Sequence, residues 1–226
     1  MKLQHRGGSQ GIFGLRPAPV LEFQTKNAHG LRIDGLIKFV IFSPMRATAM
    51  RTLEQHITQY AAYHRDRRNI VTHFFGVPLI VFAVVLALVP LVIGGVNAAL
   101  IALVIAAVYY IFLDVALGTA MLIFLFVCWL ISVYINSRIG NGGVVVGIAA
   151  AVFVIGWIIQ FIGHKYEGMK PAFTDDIMGL AIGPLFIMTE VFFMLGLKSQ
   201  LKKYVEDRVG PTLAERNGAP IGPRQA

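Results

Sequence analysis

Five apolar runs separated by short polar breaks fill most of the chain between residues 74 and 197. Phe74–Ile93 has 20 residues, Val96–Leu113 has 18, Ala116–Ile135 has 20, Val144–Ile162 has 19 and Ile177–Leu197 has 21. A helix needs roughly 20 residues to cross the hydrocarbon core of a bilayer, so each run is long enough. Lipid offers no partner to an exposed backbone amide, so the runs must be helical. Gly94-Gly95, Asp114 and the segment from Asn136 to Gly143 are tight breaks that force neighbouring spans to be antiparallel. The pattern predicts an all-α polytopic transmembrane bundle with four full spans and a fifth apolar segment. That fifth run contains Gly183-Pro184 and Glu190, and a full crossing would carry Lys198, Lys202 and Lys203 to the outer face. The positive-inside tendency opposes this, so a span and a re-entrant segment both stand.

Ahead of the first run, Leu53, Ile57, Tyr60, Ala61 and His64 recur at three- and four-residue steps, with Arg51, Glu54, Gln55 and Gln59 opposite. This is the period of an amphipathic helix, expected from Met50 to about Arg68 and on the membrane surface. Residues 1–49, broken by Gly7-Gly8, Gly11, Gly14, Pro17 and Pro19, read as an irregular arm that need not be native, with Met45 and Met50 as alternative starts. Residues 50–205 form a membrane-embedded helical domain, and 206–226 a flexible polar tail.

Composition agrees with a membrane chain. Of 226 residues 56% are hydrophobic and 14% charged, against about a quarter charged in soluble domains. The charges also segregate. Residues 1–73 hold eleven Lys/Arg and four Asp/Glu, whereas 74–162 hold only Arg138 and Asp114. Positive charge flanking apolar runs argues for membrane orientation and lipid headgroups, and against a nucleic-acid binder. Cys128 lies inside an apolar run and has no second cysteine to pair with.

Two polar clusters border this apolar stretch. One holds His64, Arg65, Asp66, Arg68, Asn69 and His73; the other holds Gln160, His164, Lys165, Glu167 and Lys170. Four crossings return the chain to its starting side, so His73 before the first run and His164 after the fourth share one membrane face. With the arginine-rich front inside, that face is cytoplasmic. Three histidines on one face point to a metal, since imidazole suits iron and zinc. On a continuous helix His64 and His73, nine residues apart, would face opposite ways, and they converge only if the chain turns between them. Asn69 shares a face with His73. Glu167, three residues after His164, can be a ligand, an acceptor that orients a histidine, or a partner for Lys165 or Lys170; the orienting role is favoured. Asp66 among three arginines reads as a surface ion pair or a site residue. His56 can face the same way as His64 and is a weaker candidate, while His5 and His29 fall in the irregular arm.

The spacings His64-x4-Asn69-x3-His73-x2-Gly76-x-Pro78 and Gln160-x-Ile162-Gly163-His164-x2-Glu167-x3-Pro171-Ala172 resemble the signatures of the fungal and bacterial 2-hydroxy fatty acid dioxygenase family. The resemblance covers about residues 50 to 200. It implies a membrane Fe(II)-dependent enzyme of fatty acid α-oxidation that uses O2 to convert a 2-hydroxy fatty acid to the acid one carbon shorter. It also implies His64, His73 and His164 as metal ligands. Arg65, Arg68 or Lys170 could neutralise the substrate carboxylate while the acyl chain stays among apolar helices of the bilayer. Such a protein would reside in the inner membrane of a bacterium or the endoplasmic reticulum of a eukaryote.

Two other classes fit less well. Membrane di-iron hydroxylases and desaturases resemble HxxxH and HxxHH clusters, which this chain lacks. A transporter or lipid-binding scaffold would rest on Glu190 and Gly183-Pro184 alone.

Overall fold

Thr52 opens helix α1 (Leu53–Ala61) with a capping box, its hydroxyl accepting from the Gln55 amide while the Gln55 side chain accepts from the Thr52 N–H. The computed structural model describes residues 52–171 and 177–214, all within the compact unit Ala49–Ala226. The irregular arm expected over 1–49 lies outside the described residues.

Helix α1 stops well short of the expected Arg68. Residues 62–66 turn, and α2 (Arg67–Leu88) begins on an Asp66 cap whose carboxylate accepts from the Arg68 N–H. The apolar side of α1 faces protein. Leu53, Ile57, Tyr60 and Ala61 are buried in the main core together with Ile182, Leu185, Phe186 and Leu201.

A two-residue hairpin follows α2: β1 (Val92–Ile93) pairs antiparallel with β2 (Val96–Asn97). Gly94 and Gly95 form its turn at φ 59° and 84°, the left-handed region that a two-residue hairpin turn requires. Helices α3 (Ala98–Leu113), α4 (Val115–Ile139) and α5 (Gly142–Glu167) then start on Asn97, Asp114 and Asn141, each side chain accepting a first-turn amide. Three helices, α2, α4 and α5, are long and apolar enough to cross a membrane. Helix α3 has 16 residues, about 24 Å against a core of roughly 30 Å, because the hairpin takes the start of its run.

Helices α2 and α5 form the central antiparallel pair. Their backbones touch at Gly76 and Gly156, where an added Cβ would sit 3.0–3.1 Å from the opposing carbonyl oxygen. Two turns toward the polar end, Gly163 sits against Thr72 and Asn69 so closely that a Cβ would fall 2.0 Å from the threonine hydroxyl. Leu86, Val145 and Ala149 cluster at the other end of the pair. This stripe of small residues sets the register that brings His164 beside His73.

The fifth apolar run becomes α6 (Gly179–Met194), followed by α7 (Ser199–Val209) after a bend of 113°. Counted as one broken span, the pair raises the number of spanning elements to four at most. Both flanks of α6 are tied to the corner between α3 and α4. Tyr110 Oη donates to the Ala181 carbonyl at 2.7 Å, and Lys198 pairs with Asp114. Helix α7 packs back on α1. The tail boundary expected at 206 therefore falls inside a helix. Beyond it Leu213 forms a β-bridge at Asp66: its N–H donates to the Arg65 carbonyl at 2.8 Å and its carbonyl accepts from Arg67 at 2.9 Å.

Candidate metal centre

His64 sits in the turn between α1 and α2, and His73 one and a half turns into α2. His64 Nδ1 lies 2.8 Å from the Tyr60 carbonyl oxygen, and His73 Nδ1 lies 2.9 Å from that of Asn69. A carbonyl only accepts, so in both neutral rings Nδ1 carries the proton and Nε2 presents a lone pair. The two Nε2 atoms face each other at 3.0 Å. Two lone pairs at that distance repel unless a cation or a proton lies between them.

His164 completes a triangle. Its ring centroid is 5.1 Å from each of the other two, and ligand atoms of the three residues all lie within 4.8 Å of one another. His64, His73 and His164 are 0%, 2% and 7% exposed. Tyr60 stacks on His64 at 4.2 Å between centroids, nearly parallel, and Phe186 packs beside it. Burial, reinforced by the neighbouring His73 and His164, holds the His64 imidazole well below its ordinary pKa of 6.5. The ring is thus kept in the neutral form that binds metals.

The His64 and His73 nitrogens fit a shared ion, with His164 within reach as a third donor. With bonds of about 2.1 Å, nitrogens 3.0 Å apart subtend roughly 90° at a shared centre, as adjacent octahedral ligands do. Tetrahedral ligation would separate them by about 3.4 Å. Three buried imidazoles could hold a metal ion.

Glu167, 0% exposed, closes α5 onto the turn that carries His64. Its Oε1 accepts from the Arg65 N–H at 2.9 Å; Oε2 accepts from the Asp66 N–H at 2.9 Å and from Asn69 Nδ2 at 3.0 Å. The carboxylate thus holds two backbone amides of the turn and the Asn69 side chain. It reaches the site through the turn.

A family profile described as "Mpo1-like: 2-hydroxy-palmitic acid dioxygenase Mpo1-like" matches residues 50–195, the stretch that holds both polar clusters. The chain belongs to the Mpo1-like family. The 2-hydroxy-palmitic acid dioxygenase MPO1 of Saccharomyces cerevisiae is 44% identical over 57 residues, which cover 24% of this chain and 33% of the yeast protein. The chain thus aligns with about a third of that curated relative's length. No solved structure matches it.

In this Mpo1-like chain the other residues singled out from sequence fall in distinct places. Asn69 is buried and braces His73 through its carbonyl. Asp66 is fully buried, not a surface ion pair, and binds Arg68 Nη2 at 2.8 Å while capping α2. Arg65 is directed at backbone oxygens of Ala61, His64 and Gly210, and Arg68 lies over the Tyr166 ring. Lys170 is exposed beyond the end of α5. None of these three cations lines the cavity beside the histidines. His56 is buried on α1 and stands outside the three-histidine group.

Gln160, which the sequence places in the second polar cluster without a role, carries a further signal. It lies one turn before His164, on the stripe of α5 that faces α2. Only 4% exposed, it lines a cavity of about 70 Å³ with Tyr60, His73 and His164. Neither its Oε1 nor its Nε2 has a hydrogen-bond partner among the described residues. A buried amide left without partners costs about 1–3 kcal/mol per group, and this one packs against Gly76 in the wall of the histidine cavity.

Proposed function

We propose that this Mpo1-like protein is an Fe(II)-dependent dioxygenase that shortens 2-hydroxy fatty acids by one carbon at a membrane surface. The observation that carries the reading is the pair of bare Nε2 atoms of His64 and His73 facing each other at 3.0 Å, with His164 beside them. Family membership supplies the substrate class, through the wording of the profile and of the yeast relative.

His64, His73 and His164 would hold the iron. Ferrous iron, when bound, supplies a centre at which O2 accepts electrons from the 2-hydroxy acid. The net reaction balances without an external reductant: R–CHOH–COOH and O2 give R–COOH, CO2 and water, with the C1–C2 bond broken and the four electrons drawn from substrate. The protein's own groups do the rest. The Tyr60 and Asn69 carbonyls fix the His64 and His73 tautomers, so both nitrogens stay unprotonated. Glu167 holds the turn and, through it, the His64 ring. Gln160 offers one donor and one acceptor to the carboxyl and hydroxyl of the substrate head. The apolar wall of Tyr60, Val77 and Pro184 limits water at the cavity.

In this reading α2, α4 and α5 pass through the bilayer, the shorter α3 carries the chain back between α2 and α4, and the α6–α7 pair returns to the side it left. The histidines then lie on the cytoplasmic face. Purified protein supplied with Fe(II), O2 and 2-hydroxypalmitate should yield the odd-chain acid in amounts matching the oxygen consumed. Iron-loaded, folded protein that leaves the hydroxy acid intact would overturn the proposal.

A further inference from the structure

The small cavity at His73 and His164 shares part of its wall with a neighbour. Ile80, Val81, Trp157, Leu180 and Pro184 line both it and a second, larger cleft of about 440 Å³. This cleft follows α2 through Val84 and Val85 to Leu88, with Leu103 and Tyr110 of α3 on one side and Phe153 of α5 on the other. Helix α3 packs chiefly on α4, and α5 chiefly on α2, which leaves the gap between α3 and α5 unfilled. One lip is exposed toward the outside of the bundle: Ala102 of α3 and Phe153 of α5, the latter 37% exposed.

We infer that this cleft is an acyl-chain site whose depth along α3 selects the length of the substrate. The inference rests on the dioxygenase reading for the identity of the head group; the cleft itself is independent of it. Polarity runs the right way, with the unpartnered Gln160 amide and the histidines at one end and aliphatic side chains along the rest. Length agrees as well. From His73 to Leu88 the helix rises about 22 Å at 1.5 Å per residue. A zigzag of carbon–carbon bonds near 1.5 Å advances roughly 1.25 Å per atom, so the cleft accommodates about 16 to 18 carbons. The bottom is closed by Val85, Val89, Ala99 and Cys128, a buried apolar cluster. The exposed lip gives a chain already dissolved in the bilayer a sideways entrance.

Helix α3 runs back toward the histidine end, so Ala106 lies nearer the site than Ala102, and both line the cleft. Ala102 is exposed and Ala106 half-buried at the edge of the main core, and Ala102→Trp and Ala106→Trp both add bulk to the cleft. With 2-hydroxypalmitate, Ala102→Trp should lower kcat/KM at least roughly tenfold, since even a methylene or two in such a pocket is worth that much. 2-Hydroxyoctanoate should be turned over as by the unaltered protein. Ala106→Trp should reach further and penalise intermediate lengths too. Equal losses for all lengths, or none, would overturn the inference.

A readout without turnover separates this from the fate of the dioxygenase reading. Full-length protein in phospholipid nanodiscs, with no iron added, is irradiated with a 2-hydroxy fatty acid carrying a diazirine at its terminal carbon or at mid-chain. The terminal probe should label α3 around Ala99 to Leu103 and the mid-chain probe Ala106 to Tyr110, both suppressed by excess 2-hydroxypalmitate. Labelling spread evenly over the lipid-facing helices, unaffected by competitor, would refute the cleft even if the enzyme proved active. Focused labelling without any turnover would sustain the cleft and refute the dioxygenase.

Discussion

The carboxylate of Glu167 receives the backbone N–H of Arg65 at 2.9 Å, joining the end of α5 to the turn that carries His64. Its other oxygen takes the next amide, Asp66, and the Asn69 side chain. A carboxylate suits this place because it only accepts, and all three partners only donate here. Glu167→Ala leaves buried donors unpaired, at about 1–3 kcal/mol each. We expect Glu167→Ala to lose several kcal/mol in reversible denaturation. Glu167→Gln, which turns one acceptor into a donor, should lose about 1–3 kcal/mol and bind metal about 10- to 100-fold more weakly. Metal titration of the two variants checks this.

The α2–α5 crossing makes a second test. A Cβ at Gly163 would lie 2.0 Å from Thr72 Oγ1 and 2.5 Å from Asn69 Oδ1, whereas one at Gly147 would meet nothing within 4 Å. Gly163→Ala should force the helices apart, cost about 1–3 kcal/mol, and move His164 away from His73. Gly147→Ala on the same helix should be neutral in both stability and metal content. Thermal unfolding and metal analysis of the two variants make the comparison.

Acid should weaken the metal-free protein through His64. Its folded-state pKa is depressed below 6.5, chiefly by burial. Between that lowered value and 6.5 the unfolded chain binds a proton that the folded chain does not, so stability rises with pH across this window and is lost as pH falls through it. The slope approaches about 1.4 kcal/mol per pH unit for the single group. Denaturation of metal-free protein at pH values on either side of 6.5 should show the loss, and His64→Phe, if folded, should flatten it.

Gln160 should separate stability from binding. Its amide spends burial without a hydrogen bond among the described residues, so Gln160→Leu should leave stability unchanged or raise it. The same change should weaken binding of a 2-hydroxy acid by about 1–3 kcal/mol, roughly five- to 150-fold, and act mainly on KM. A loss of stability with unchanged KM would remove Gln160 from the head-group site.

Much of this was legible from the chain because the apolar runs have a period and a length that only lipid-spanning or deeply buried helices share. The two polar clusters were legible too, as was the need for a turn between His64 and His73, which helical geometry alone demanded. The position of the turn was not. Asp66 carries an N-cap signal for α2, yet among three arginines it reads equally as an ion pair, and the periodicity alone carries the helix on to Arg68. What Glu167 does depends on amides about a hundred positions away in sequence, which no local pattern reveals. Gln160 stands in the second polar cluster at four-residue spacing from His164, but that spacing does not say that its surroundings offer the amide no partner. The shortening of α3 follows from the hairpin at Gly94-Gly95, whose positive φ angles bind Val96 and Asn97 into strand.

Counting bound iron against the histidines bears most directly on the whole account. Protein purified without oxygen and loaded with Fe(II) should hold one iron per chain, and His64→Ala, His73→Ala and His164→Ala should each abolish it while the fold persists. Iron retained by all three variants, or a wild-type chain that takes up none, would contradict it.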